Sequence, residues 1–192
     1  MTTLPRRHFL LGLAALLPVP FVARRVHRLA ADDLDSQLLR ALGAAVLPGE
    51  LGPSGSDRLV SAFEQWLAGY REGAELVHGY GTGELRRTGP SPALRWSSQL
   101  RELDAAARKQ GHSFDRLGRM EQQALVRAAL AGQRINGLPQ IDRASHLAVG
   151  LLAFFYASPE AADLCYQARI GSNSCRPLGD SGARPLPLAR RS

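Results

Sequence analysis

Few side chains of this chain have the types that chemistry requires, and their spacing does not assemble a reactive site. His78, His112 and His146 lie too far apart in sequence to give the paired-histidine spacing of a helical metal site. Cys165 and Cys175 belong to no Cys-x-x-Cys pair and to no Cys-x-x-Cys-His segment, so neither a zinc site nor covalent haem is indicated. We therefore predict no metal site and no catalytic residue in the chain itself.

Two short segments resemble known motifs but lack the context that those motifs need. Residues 79–84 read Gly-Tyr-Gly-Thr-Gly-Glu, whereas a dinucleotide fingerprint requires glycine at the sixth position, between a strand and a helix. We predict no strand here, and a long loop near residues 77–92 instead. Residues 179–182 read Gly-Asp-Ser-Gly, as around the nucleophile of trypsin-like proteases, but they lie in a proline-rich tail without the β-barrel that such catalysis uses.

The N-terminus has the architecture of an export signal. Arg6 and Arg7 precede an uncharged apolar run over residues 9–23, which is shorter than the roughly 20 residues of a membrane-spanning helix. Phe9 and Leu10 stand at the second and third positions beyond the pair, so the segment resembles the twin-arginine motif, whose translocase exports folded proteins. An ordinary secretory signal is the alternative. We expect a periplasmic protein.

The boundaries of the chain's segments follow from composition. No clean small-x-small cleavage site follows the apolar run, so an uncleaved signal would leave a short anchor that associates with the inner membrane. We assign residues 1–31 to the export signal, 32–171 to a single domain, and 172–192 to an extended tail rich in proline and arginine.

The charge of the chain is concentrated in that signal. The formal net charge is +7, but five of the 24 basic residues precede Asp32 and all 17 acidic ones lie from Asp32 onward, which leaves the rest at +2. A nucleic-acid-binding domain would carry a basic stripe on one face of its folded part. We therefore predict no nucleic-acid partner.

The two cysteines are expected to pair. Both follow the export signal and so reach an oxidising compartment, and two cysteines allow one intrachain bridge. A bridge from Cys165 to Cys175 would close a short loop and contribute about 2 to 3 kcal/mol in the chain-entropy model. Free buried thiols, or ligation of a partner's cofactor, are the alternatives.

Helical periodicity runs through the body, so the sequence predicts an all-α fold of about six helices. The first covers about residues 34–46, the second begins at Ser56 and Asp57, and the fourth covers about residues 118–131. The expected buried positions are Leu59, Phe63, Leu67 and Tyr70 on the second helix, Trp96, Leu100, Leu103 and Ala107 on the third, and Leu117, Met120, Ala124 and Ala128 on the fourth.

The last two helices differ in character. Residues 147–156 are apolar on every side, which is typical of a central helix surrounded by others, and we expect it to begin at Arg143 with Asp142 as its cap. Ser158 and Pro159 are expected to start the sixth helix as cap and first residue.

Five short segments, in order, resemble the gluconate 2-dehydrogenase subunit 3 family. They are Ala-Ala-Val-Leu-Pro at 44–48, Leu-Asp-Ala-Ala-Ala-Arg at 103–108, Ser-Phe-Asp-Arg-Leu at 113–117, Glu-Gln-Gln-Ala-Leu at 121–125 and Phe-Phe-Tyr-Ala-Ser-Pro-Glu at 154–160. The resemblance covers about residues 34–170. The chain departs from the family after Ala161, where its cysteine-containing segment replaces an aromatic and glycine-rich ending.

The resemblance implies an accessory role. Such subunits carry no active site and no cofactor; they accompany a large FAD-dependent dehydrogenase subunit of the glucose-methanol-choline type, with a cytochrome c subunit as a further candidate partner. The resemblance thus implies that this chain supplies the export signal and assists maturation and translocation of the large subunit. A stand-alone periplasmic α-helical protein that binds a small ligand is the alternative.

The surface expected to contact the partner lies in two stretches with little helical periodicity. One runs from His78 to Trp96 and includes Tyr80, and the other is the tail after Cys175, beginning at Arg176. Proline restricts residues 184–188 to an extended shape, so we expect this strip to lie along a groove of the large subunit.

Overall fold

Six α-helices and one β-hairpin make up the parts of the chain that the computed structural model describes, which are residues 34–78, 83–134, 137–168, 170 and 187–188. The all-α class predicted from the sequence is confirmed for this domain, with one small sheet added. In chain order the elements are α1 (Ser36–Val46), α2 (Gly52–Gly69), β1 (Gly73–His78), β2 (Gly83–Thr88), α3 (Ala93–Arg108), α4 (Arg119–Leu130), α5 (Leu147–Tyr156) and α6 (Pro159–Tyr166).

Three helices begin where a side chain accepts a hydrogen bond from one of the first backbone N–H groups, and two have proline, which lacks an N–H, in the first turn. The Asp35 carboxylate accepts hydrogen bonds from the Gln37 and Leu38 amides, at 2.9 and 3.1 Å, and so caps α1. Ser158 caps α6, and Pro159 is its first residue, as predicted. These caps are local, and they can be read from sequence alone.

Two predicted helix starts are wrong. Helix α2 begins at Gly52, four residues before Ser56, because Pro53 suits a first helical turn and Gly52 turns the chain with a φ of 61°. Helix α5 begins at Leu147 and not at Arg143. Its cap is His146, whereas Asp142 belongs to a separate 3₁₀ turn, Ile141–Arg143.

The predicted long loop near residues 77–92 is instead largely a β-hairpin. Strands β1 and β2 pair antiparallel, in a register that places Gly73 opposite Thr88 and His78 opposite Gly83. The strands pair only with each other in the described structure, so both outer edges of this small sheet lack a neighbour. The prediction failed because six-residue strands of mixed polarity give little period-two signal.

Helix α5 lies in the core, as its all-round apolar sequence predicts. Leu147, Leu151 and Phe155 are each at most 2% exposed. None of the described helices is long and apolar enough by itself to cross a membrane; α5 and α6 together meet the length and composition of a span but are bent by 65° relative to each other.

Five aromatic side chains pack together between α2, α3 and α5. Phe63 stacks on Trp96 with ring centroids 5.4 Å apart and meets Phe154 edge-on at the same distance. Trp66 lies 6.2 Å from Trp96 and 5.5 Å from Tyr70. The cluster therefore runs from the buried core to the surface at the end of α2.

The buried face of α4 differs from the predicted one. Met120 is 72% exposed and Ala124 is exposed, whereas Gln122 and Val126 are buried. The Gln122 amide Nε2 donates to the Phe114 carbonyl at 2.9 Å, so a polar side chain sets the helix's orientation. A hydrophobicity pattern assigns glutamine to the outer face and so selects the wrong side.

Gly150 is required where α5 meets α3. A Cβ atom there would lie 2.7 Å from Cζ2 of Trp96, closer than packed atoms approach. We expect Gly150→Ala to lower the free energy of unfolding by about 1 to 3 kcal/mol through overpacking, measured by urea denaturation. Gly69→Ala is the control, because nothing lies within 4 Å of its Cβ position in α2; equal losses in both variants would show that the Trp96 contact is unimportant.

Candidate functional site

An open cleft of about 910 Å³ lies where the hairpin joins the helical body. Trp66 and Tyr70 at the end of α2 form one side, and Gln140 and Asp142 at the Ile141–Arg143 turn form the other. Ala153 and Ala157 also line the cleft, and their small side chains occupy little of its volume.

Hydrogen bonds fix the hairpin base beside this cleft. The Thr88 hydroxyl is within hydrogen-bond distance of the carbonyl oxygens of Arg71 and Gly73, at 2.8 and 3.1 Å. The Tyr70 hydroxyl lies 2.9 Å from the Gly89 carbonyl oxygen and 3.4 Å from Oδ2 of Asp142. The strands thus leave the body at a defined position.

The lining of the cleft combines aromatic rings with acidic groups. Trp66 and Tyr70 meet edge to face at an interplanar angle of 71°. Glu72 and Asp142 supply two carboxylates against one guanidinium, that of Arg71. Such a lining suits an organic cation or a hydrogen-bonding group, since aromatic faces and carboxylates both attract positive charge. No group of three His, Cys, Asp or Glu side chains that could hold a metal ion occurs in the described parts of the chain.

A second polar assembly links segments that carry the family resemblance. Asp104 of α3 accepts a hydrogen bond from the Phe114 amide at 2.9 Å and an ion-paired one from Nε of Arg108 at 2.7 Å. Burial raises the pKa of the Asp104 carboxyl, but the Phe114 N–H and the Arg108 guanidinium outweigh it, so the pKa lies below its ordinary value. With Gln122 on the Phe114 carbonyl, both backbone groups of this residue are bound.

The end of α1 is held by the same helix α4. The Gln123 side chain donates to the Ala45 carbonyl at 2.9 Å, and Arg119 donates to the Leu47 carbonyl at 3.2 Å. The Ala45 carbonyl lies in the last turn of α1, where acceptors have no partner within the helix, and Leu47 is the residue that follows the helix. The segments 44–48, 103–108, 113–117 and 121–125 therefore meet at one place. We call them the motif network.

His146 is the N-cap of helix α5. Its Nδ1 accepts a hydrogen bond from the Ala148 amide at 3.1 Å, which requires the neutral ring with its proton on Nε2. Burial lowers the pKa of the imidazole, against the opposing charge of Glu102. The Gln99 side chain completes the turn by accepting from Leu147 and donating to Ser145, both at 2.8 Å.

Of the four residues predicted to contact a partner, the structure describes two, Trp96 and His78. Trp96 is a core residue with 0% exposure, which rules out the surface role expected of it. His78 is the last residue of β1. Outside the described residues lie Tyr80, Arg176, and the signal residues Arg6, Arg7, Phe9 and Leu10.

The cysteine pairing stays a prediction. Cys165, near the end of α6, is exposed and forms no disulfide within the described structure, while Cys175 lies outside it. Exposure also rules out the alternative of a buried thiol at Cys165.

The C-terminal strip returns to the body at one described point. Ala168 and Pro187 form an isolated antiparallel bridge, and the Leu188 amide donates to the Gln167 carbonyl at 3.2 Å. Part of the strip expected on the large subunit is thus already paired with the residues that follow α6.

Sequence reasoning missed the cleft. The helical periodicity places Tyr70 on the apolar face of α2, the capping rule places Asp142 before α5, and neither pattern points to a cleft. The available signal was an aromatic pair spaced four residues apart at a helix end, directly before Arg71 and Glu72. No protein-family model, curated protein or solved structure matches this chain.

Proposed function

We propose that this chain is a non-catalytic accessory subunit of a periplasmic FAD-dependent dehydrogenase complex that acts on a sugar, polyol or gluconate. It carries the twin-arginine signal for the complex. The large flavin subunit folds and takes up FAD in the cytoplasm, binds this helical protein, and crosses the membrane with it. FAD and the substrate site belong to the large subunit.

The observation that carries the proposal is the motif network. The segments behind the family resemblance are short, and each alone is weak. In the fold, hydrogen bonds of Asp104, Gln122 and Gln123 link four of them in succession, from 103–108 through 113–117 and 121–125 to 44–48. The segments that carry the resemblance therefore form one structural unit, which supports the proposal.

The test distinguishes a defect in export of the complex from a defect in its folding. The chain is coexpressed with a candidate large flavin dehydrogenase subunit, sought first among the neighbouring genes, and dehydrogenase activity is assayed in the periplasm and cytoplasm. We expect Arg6→Lys with Arg7→Lys to move the activity to the cytoplasm, because the translocase requires the arginine pair.

The matched control is a second arginine pair in the same segment. Arg24→Lys with Arg25→Lys keeps charge and position near the apolar run but leaves the motif intact. We expect normal periplasmic activity from this variant. Periplasmic activity that is unaffected by the change at Arg6 and Arg7 contradicts the proposal.

The cleft favours a second candidate, a stand-alone periplasmic binding protein for a small ligand. Its volume of about 910 Å³ is within the range of small-molecule sites, and its lining includes aromatic and polar residues, although the cleft is open to solvent. The two candidates differ in behaviour when the chain is made alone. A binding protein stays a monomer in size-exclusion chromatography, whereas a subunit that leaves a partner surface exposed aggregates or is degraded.

A further inference from the structure

The two edges of the hairpin differ in their protection against strand pairing. Strand β2 reads Gly-Glu-Leu-Arg-Arg-Thr, with three charged residues of six, whereas β1 reads Gly-Ala-Glu-Leu-Val-His, with one. Charged residues on an edge strand discourage pairing with another chain. Of the two edges that have no neighbour in the described structure, the outer edge of β1 is therefore the less protected one.

The hairpin also has a reason to acquire a third strand. A two-stranded sheet alone is marginally stable in water, and three strands or packing on a helix are needed for stability. In the described structure β1 and β2 pair with nothing but each other. Every second residue of β1 directs its N–H and C=O groups away from β2 in an antiparallel ladder, so these groups are available to a partner.

Strand β1 starts at the cleft. Gly73, its first residue, borders the cleft together with Thr88 of β2. Gly73 has a φ of 143°, which side-chain-bearing residues rarely adopt, so the sharp exit of the strand from the body depends on glycine. An extended segment paired with β1 would reach the cleft at this end.

The cleft favours a positively charged side chain on that segment. Its lining includes Glu72 and Asp142 against Arg71, so the formal charge of the lining residues is negative. A lysine or arginine stem would pack along Trp66 while its charge meets a carboxylate.

We propose that the outer edge of β1 and the adjoining cleft receive one extended segment of the large flavin subunit, which adds a third strand and places a basic side chain between Trp66 and Asp142. This inference rests on the proposed function, because it names the surface through which the accessory subunit holds its partner. Backbone hydrogen bonds supply affinity and the cleft supplies specificity, as in other cases of strand addition.

The first experiment is hydrogen–deuterium exchange, resolved to single amides, on the free chain and on the purified complex. We expect exchange to slow about tenfold or more at alternate residues of β1 when the large subunit is bound, with the outward amides of β2 unchanged. A complex in which the β1 amides exchange as fast as in the free chain overturns the inference and leaves the proposed function standing. Failure to form any complex overturns both.

Two outcomes of the same measurement identify other occupants. Protection on the β2 edge instead of β1 contradicts the proposed edge. Protection of β1 in the free chain that grows with its concentration identifies a second copy of this chain as the occupant, and so also contradicts the proposal.

The second experiment tests the cleft. Asp142→Asn removes the charge but keeps an oxygen that Tyr70 can bind, and we expect it to weaken binding of the large subunit about fivefold, measured by titration of the two purified subunits. Asp57→Asn is the matched control, an exposed carboxylate near the opposite end of α2, about 20 Å away along the helix. Equal affinities for the Asp142 and Asp57 variants contradict the role of the cleft.

Discussion

Replacing Trp96 by alanine is expected to lower the free energy of unfolding by about 3 to 5 kcal/mol. The ring is 0% exposed, stacks on Phe63 and lies against Gly150, so neighbouring atoms cannot close the space that it leaves. Urea denaturation followed by far-ultraviolet circular dichroism measures the loss.

Two further variants of helix α3 serve as controls for this loss of stability. Leu94→Ala removes a side chain that is 58% exposed, and we expect a change within about 0.5 kcal/mol. Trp96→Phe keeps an aromatic ring and removes the indole N–H, which is buried without a hydrogen-bond partner in the described structure, so its cost is smaller than that of alanine. A Trp96→Ala protein as stable as the parent would mean that this side chain is outside the core.

Replacing Asp104 by alanine is expected to destabilise the fold by about 2 to 3 kcal/mol. The change leaves the buried Phe114 amide without an acceptor and removes the ion pair with Arg108. Asp104→Asn is the control, because its side-chain oxygen can still accept from Phe114, and we expect it to cost less. If alanine and asparagine cost the same, the hydrogen bond to Phe114 contributes nothing.

The same carboxylate should make stability depend on pH. Its pKa is lowered in the folded state, so the unfolded chain binds the proton more tightly than the folded one. The contribution is fully present above the unfolded value of about pH 4 and is lost as the pH falls through the folded value. We expect the free energy of unfolding to fall more steeply below pH 4 in the parent than in Asp104→Asn.

The parts of the fold that the sequence predicts correctly are those governed by local rules. The end of α1 before Pro48, the buried face of α3 and the start of α6 at Ser158 and Pro159 follow from proline geometry, periodicity and capping. The central position of α5 follows from its composition, because a helix without a polar face must be covered on all sides.

The errors arise where residues distant in sequence determine the buried face of a helix, its first residue or the pairing of two strands. The face of α4 is set by Gln122 on a carbonyl of another segment, and the start of α5 is set by His146 and by Gln99 from α3. The hairpin depends on cross-strand pairing of two short segments. None of these contacts leaves a periodic signal in the sequence.

The cleft was unpredictable for the same reason. Its two sides come from Tyr70 and Asp142, which are 72 positions apart in the chain, and Ala153 of α5 also lines it. A reading along the sequence could identify each side chain but had no means to bring them to the same place.

The aromatic cluster also determines what the protein's own fluorescence reports. The chain has two tryptophans, and both belong to this cluster with ring centroids 6.2 Å apart. Emission excited at 295 nm, where tyrosine contributes little, therefore reports on the junction of α2, α3 and α5. It does not report directly on α1 or α4. Because Trp66 borders the cleft while Trp96 is enclosed, a quencher dissolved in the buffer reaches the first indole more readily, and an occupant of the cleft would shield it.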